Sequence, residues 1–167
     1  MKRIYLISIL FIFLFSACED ESGVAEAFAK YRFKDGVTTI TVPGWLIHSA
    51  AMWGDLEKEE RDLLRSIDKV KVLTIEDKDL NARSNLHQEF YETVRLRGDL
   101  EELLVVRDGN EQVTIFGKSE GSSIEEMLIL VGGEENAIVY LKGRLQPHLI
   151  SNFMEKDSQK GFLSFKN

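Results

Sequence analysis

Hydrophobic residues recur at two different spacings along the first half of this chain, and these spacings predict alternating helices and strands. Val24, Ala27, Phe28 and Tyr31 stand at i, i+3, i+4 and i+7, which places them on one helical face. A strand over Val37–Val42 and an apolar helix over Gly44–Trp53 are predicted to follow. The next predicted elements are an amphipathic helix with Leu56, Leu63, Leu64 and Ile67, a strand over Val70–Ile75, and a long helix from about Leu80 to Arg97. Because helices join these two strands, a parallel pair with a right-handed crossover is expected.

The second half has a different pattern, with four strands in succession and short polar turns between them. The predicted strands are Glu102–Arg107, Gln112–Lys118, Ile124–Val131 and Ala137–Arg144. The turns Asp108-Gly109 and Gly132-Gly133 contain residues that tolerate the positive φ of tight hairpins. The whole pattern predicts a two-layer α+β domain, with helices packed on a mixed sheet that ends in a four-stranded antiparallel meander.

One strand is apolar on both of its sides. Met127–Val131 runs without alternation, which predicts that the sheet face opposite the helices is also covered in part, or that it offers a contact surface. Phe162, Leu163 and Phe165, near the end of the chain, are candidates for that cover.

The N-terminal segment has the features of an export signal. Lys2 and Arg3 precede about twelve mostly apolar residues, and Ser16-Ala17 stand before Cys18, the only cysteine. Twelve helical residues cover about 18 Å of a hydrocarbon core about 30 Å thick, too little for a transmembrane helix. This pattern predicts a lipoprotein signal peptide over residues 1–17, a lipidated Cys18 with an acidic spacer over 18–23, and a single domain over 24–167. An ordinary signal peptide and an uncleaved anchor remain the alternatives.

Charge and cysteine content limit the partners of the mature chain. Without residues 1–17 it carries 19 basic and 28 acidic residues, a net charge of −9. Such a surface repels a polyanion, so nucleic acid is not an expected partner. With Cys18 bonded to lipid no disulfide forms, and stability must come from burial of apolar surface.

The sequence contains no recognisable catalytic or metal-binding constellation. Its three histidines lack the spacing of metal ligands, and no nucleophile elbow or phosphate-binding loop is present. We therefore predict no catalytic residues, no metal and no cofactor, and favour a binding role while leaving the enzyme question open. His87 and Tyr91, one helical turn apart, have two interpretations: partial burial beside the core, or part of a ligand or partner surface.

Trp45, Met52 and Trp53 cluster on the apolar helix after Pro43. Trp45 and Trp53 offer a platform for a ligand or partner. The alternative is that the whole helix is buried between strands and fills the core.

The order of these elements resembles a known family, the Bacteroidetes lipoproteins built on domain of unknown function 4252. The resemblance covers roughly Phe28 to Phe153. It rests on the Phe28-x-Lys30-Tyr31 start, the Val37–Val42 strand, the Pro43-Gly44-Trp45-Leu46 helix entry, the Val70–Ile75 strand, Tyr91 on the long helix and the Ile138–Gly143 strand. It implies a location and a fold class, but no activity, cofactor or catalytic residue.

These observations together predict a lipid-anchored protein of the bacterial cell envelope, tethered through Cys18 to the outer membrane on its periplasmic or its surface side. We expect a binding, sensing or interaction module with an envelope protein as its partner. The alternative is an envelope hydrolase without a recognisable motif.

Overall fold

The structure is a computed structural model that describes residues 24–134 and 136–152. Five helices and six strands follow one another along these residues. They are α1 (Val24–Tyr31), β1 (Val37–Pro43), α2 (Gly44–Trp53), α3 (Lys58–Arg65), β2 (Ile67–Ile75), α4 (Lys78–Arg83), α5 (Leu86–Arg97), β3 (Glu101–Asp108), β4 (Glu111–Glu120), β5 (Ser123–Gly132) and β6 (Ala137–Leu145). A further helical turn occupies residues 147–152. The predicted α+β class is confirmed.

The six strands form one open sheet in the order β1-β2-β6-β5-β4-β3. The predicted meander from β3 to β6 is confirmed, but the mixed sheet is wrong, because the β1–β2 and β2–β6 pairs are also antiparallel. The reason lies in their connection. Helices α2 and α3 pack against each other and return the chain to the end of the sheet at which β1 stopped, whereas a parallel strand would need a crossover along the whole sheet.

One face of the sheet, called the first face here, carries the larger core. Helix α5 packs against β5 and β6, and α1 packs against α5. The predicted inward face of α1 is confirmed by the buried side chains of Val24, Phe28 and Tyr31. Phe90, fully buried, lies edge-on to Phe28 with 5.6 Å between ring centroids. This contact fixes α1 on the sheet through α5.

The opposite side of the sheet, called the second face here, also has helices against part of it. Ile47 of α2 and Leu63 of α3 pack in a cluster with Met127 and Leu145. Met127 precedes Leu128 of the first-face core, and neighbouring residues of a strand point to opposite faces. The predicted two-layer arrangement, with helices on one face, therefore needs correction: helices lie on both faces.

The predicted long helix over Leu80–Arg97 is broken into α4 and α5. Asp77 caps α4, with its side chain accepting a hydrogen bond from the backbone of Leu80 at 2.7 Å. Asn85 caps α5 in the same way, through the backbone of Gln88 at 3.0 Å. Asparagine competes well for backbone donors at a helix start, so the chain ends one helix and begins another there. Gly98, with φ of 69°, ends α5.

Several sequence predictions lie outside the described residues. They are the signal peptide over 1–17, Cys18, the spacer over 18–23, and the cover by Phe162, Leu163 and Phe165. Within the described residues, none of the helices has both the length and the apolar character required to cross a membrane.

Candidate functional site

Helix α2 exposes four large apolar side chains on its outer side. Trp45 is 69% exposed and Trp53 86% exposed, and Leu46 and Met52 lie beside them at 46% and 66%. Positions i, i+1, i+7 and i+8 share one side of a helix, so these residues form a single surface, the α2 patch. The interpretation of this helix as wholly buried is wrong.

The inner side of α2 explains why the tryptophans point outward. Gly44, Ile47 and Ala51 are buried, and the two smaller residues let the helix lie close to β2. A Cβ at Gly44 would stand 2.6 Å from the backbone oxygen of Asp68. His48 adds a hydrogen bond between Nε2 and the carbonyl of Ile67 at 2.9 Å. Small residues thus face β2, and the bulky tryptophans are left on the solvent side.

Helix α3 supports the end of α2 and gives the patch an acidic border. Arg61 donates from Nε to the carbonyl of Ala51 at 3.2 Å and from Nη2 to the carbonyl of Leu56 at 3.1 Å. A capping box joins Glu57 and Glu60 at the start of α3. Four of the six residues over 55–60 are acidic and one is basic. The segment that leaves the patch directly after Trp53 is therefore negatively charged and is called the acidic rim here.

His87 and Tyr91 lie on the first face, across the sheet from the α2 patch. Their rings stack with centroids 6.0 Å apart and an interplanar angle of 14°. His87 is 4% exposed, and its Nε2 lies 2.9 Å from Oγ1 of Thr114, which is fully buried. Burial, and secondarily the charge of Arg107, lowers the pKa of His87 and keeps it neutral. The four sequence candidates are thus not brought together, and His87 is part of the packed interior.

A second polar group lies in a cleft of about 440 Å³ between α1 and α5. Tyr31 donates its hydroxyl hydrogen to Oε2 of Glu89 at 2.5 Å, and Nζ of Lys30 reaches the same oxygen at 2.7 Å. Burial and the bond to Glu89 raise the pKa of Tyr31. Partial burial alone would raise the pKa of Glu89, but the bonds from Lys30 and Tyr31 and the charges of Lys30 and Lys34 outweigh it and lower that pKa.

These pKa directions oppose a role for Glu89 as a general acid and for Tyr31 as a general base. A general acid needs a carboxyl pKa raised toward the working pH, and a tyrosine base needs a lowered one. Glu89 and Tyr31 are shifted the other way, so the pair suits structural cohesion between α1 and α5. No local pattern indicates this group, because Tyr31 and Glu89 stand 58 residues apart in the chain.

A second cleft, of about 330 Å³, is lined by amide side chains at the end of α4. Asn136 donates from Nδ2 to Oδ1 of Asn81 at 2.8 Å, and Asn81 donates to the carbonyl of Glu134 at 2.5 Å. These bonds hold the β5–β6 connection against α4. In the described part of the chain, no group of three or more His, Cys, Asp or Glu side chains is arranged to hold a metal ion.

Comparison with known proteins identifies the domain. Residues 31–153 match the model of a domain of unknown function, DUF4252. The chain belongs to that family. No curated protein and no solved structure matches it. The resemblance of the sequence to this domain is thereby confirmed, and the DUF4252 domain includes the whole sheet and helices α2 to α5.

In the α2 patch of this DUF4252 domain, Leu46 was not predicted, and Met52 was placed in the cluster with Trp45 and Trp53 but not among the site residues. Their signal was present in the sequence, since they accompany Trp45 and Trp53 at helical spacing opposite Gly44, Ile47 and Ala51. Because most residues of α2 are apolar, hydrophobicity alone does not distinguish the buried side of this helix from its exposed side.

Proposed function

We propose that this DUF4252 protein is a lipid-anchored envelope module that binds another envelope protein through the α2 patch. The observation that carries the proposal is the exposure of Trp45 and Trp53 on one helix. Tryptophan is enriched among the residues that dominate binding energy at protein interfaces, and methionine is enriched at their centres. An exposed group of such residues indicates a contact surface.

The acidic rim favours a protein over a lipid surface as the occupant. Residues 55–60 would be repelled by an anionic bilayer or by nucleic acid. A protein with an apolar groove bordered by lysine or arginine complements both parts of the surface. We therefore expect a partner with that chemistry, and binding that weakens as salt is added.

The lipid anchor supplies the location. Only residues 19–23 separate Cys18 from Val24 at the start of α1, which allows about 20 Å of extended chain. A diacylglyceryl group on Cys18 would hold the domain within that distance of the bilayer. The resemblance to Bacteroidetes lipoproteins and the acidic residues after Cys18 support this attachment, which brings envelope proteins within reach of the α2 patch.

Binding is tested with a double variant, Trp45→Ser/Trp53→Ser, and a matched control, Phe33→Ser. Phe33 is 87% exposed and lies outside α2, so its loss removes an equally accessible aromatic ring. A partner is cross-linked in cells, purified and titrated against each chain. We expect a hot-spot loss of about 2 kcal/mol, or a Kd raised about 30-fold, for the double variant and an unchanged Kd for the control. Equal affinities for all three chains would exclude the α2 patch.

Attachment is tested separately by Cys18→Ala. This variant should lose metabolic labelling with a radioactive fatty acid and should leave the membrane fraction, because no thiol remains for the lipid. Cys18→Ser serves as a second variant that preserves the size of the side chain. Labelling that persists in both variants would refute the anchor and leave the α2 patch to be judged on its own data.

A further inference from the structure

The second face of the sheet carries an unbroken apolar row across all six strands. Each member pairs in register with its neighbour on the adjacent strand, and paired residues share a face. The row consists of Ile40, Val72, Val139, Ile129, Ile115 and Leu104. The next row along the strands is also uncharged and ends at Val106 of the edge strand β3.

The described helices cover only one side of this face. Helices α2 and α3 contact β1 and β2, and their cluster reaches β5 and β6 only at Ile124, Met127 and Leu145. On the other side, Leu104 and Val106 of β3 are 42% and 48% exposed, and Ile115 and Ile129 are half-buried. The open part of the face therefore extends from β6 through β5 and β4 to β3. An apolar surface of this kind is unfavourable in water and indicates an occupant.

We propose that the C-terminal segment, residues 153–167, is that occupant and packs across β5 and β4 toward β3. The point at which the described chain ends supports this assignment. Residues 147–152 follow β6, and Ile150 packs in the second-face cluster with Leu141 and Leu145. The C-terminal segment therefore begins, at residue 153, directly after a helical turn that lies on the second face next to its open part.

The length and composition of the segment agree with the open face. Its fifteen residues reach about 50 Å when extended, and β3 lies three strand spacings, about 15 Å, from β6. Phe162, Leu163 and Phe165 form an apolar group near its end, after a polar stretch that serves as a connection. A segment tethered this closely has an effective concentration in the millimolar range, which favours it over a free partner or a second copy. The proposal concerns the sheet and is independent of the α2 patch.

Photo-cross-linking of the full mature chain tests this placement. Phe165 is replaced by the photoreactive p-benzoylphenylalanine, and the cross-linked peptides are mapped by mass spectrometry. We expect cross-links within one chain to peptides of β4 or β5, including Ile115 or Ile129. Cross-links between two copies, to another protein or to first-face residues would overturn the proposal, and so would the absence of any cross-link.

A pair of charge substitutions on β3 supplies the matched control. Val106→Glu places a carboxylate on the second face, whereas Val105→Glu places one on the first face, since Val105 pairs with Thr114 of the buried His87 contact. Both positions are exposed on an edge strand, so both variants should fold, as circular dichroism will show. We expect the β4 and β5 cross-links to be lost in Val106→Glu and kept in Val105→Glu. Their retention in a folded Val106→Glu chain would refute the proposal.

Discussion

Replacing Gly44 by alanine tests how the structure positions the α2 patch. The added Cβ would stand 2.6 Å from the backbone oxygen of Asp68 and 3.0 Å from its carbonyl carbon. Real Cβ atoms avoid such distances, and a backbone group offers no flexible end that can move aside. The start of α2 must therefore shift away from β2, which loosens the packing of Ile47 and Ala51.

The magnitude follows from the cost of an overpacked contact. Forcing one extra methyl group into a close-packed site costs about 1–3 kcal/mol. With a urea dependence of about 2 kcal/mol per molar for a domain of this size, the unfolding midpoint should fall by about 1 M. Far-UV circular dichroism follows the unfolding, because both tryptophans of the chain are exposed on α2 and change their surroundings little when it unfolds.

The control is Ser49→Ala on the same helix. Ser49 donates its hydroxyl hydrogen to the carbonyl of Trp45 at 2.7 Å, a bond within α2 whose loss should leave stability nearly unchanged. Urea unfolding followed by far-UV circular dichroism compares the two variants with the parent chain. If Gly44→Ala has the same midpoint as Ser49→Ala, then α2 is not held against β2 as described, and the reasoning for the outward tryptophans fails.

Two further predictions concern pH and the buried polar groups. Because burial lowers the pKa of His87, its contribution to stability is complete above its unfolded pKa of about 6.5 and is lost as pH falls through the folded pKa, by at most about 1.4 kcal/mol per pH unit. His87→Leu should therefore flatten the pH dependence of the free energy of unfolding between pH 7 and 5. An unchanged slope would contradict the burial of His87 as a neutral group. Because the pKa of Glu89 is lowered, its contribution to stability is complete above about pH 4.5 and is lost as pH falls through the folded pKa. Tyr31→Phe should cost about 1 kcal/mol of stability at pH 7 and shift the loss of stability in acid to higher pH. Tm measured from pH 7 to 3 checks both effects.

Local pattern was sufficient for most of the secondary structure. The alternation of Val37–Val42 and the turn at Asp108-Gly109 predicted elements that the structure confirms, with Gly109 at a φ of 56°. The helical spacing of Val24, Phe28 and Tyr31 also predicted which side of α1 is buried. These features depend on a few adjacent residues and on the period of side chains along a helix or strand, both of which are written in the sequence.

The direction of β2 and the break between α4 and α5 were not predictable in the same way. A connection through helices permits either strand direction, and only the packing of α2 against α3 decides that the chain returns to the same end of the sheet. At the break, the cap of Asn85 is a local bond to Gln88, but apolar residues at helical spacing on both sides of it favoured one continuous helix.

The sequence by itself determined the apolar character of α2, the strand pattern of the meander and the DUF4252 family of the domain. Only the tertiary structure decided that Trp45 and Trp53 face solvent, that His87 is enclosed with Thr114, and that one apolar row crosses six strands. The physical reason is that periodicity records which residues share a side of one element. Which side becomes buried depends on close approaches such as that of Gly44 to Asp68, between residues distant in the chain.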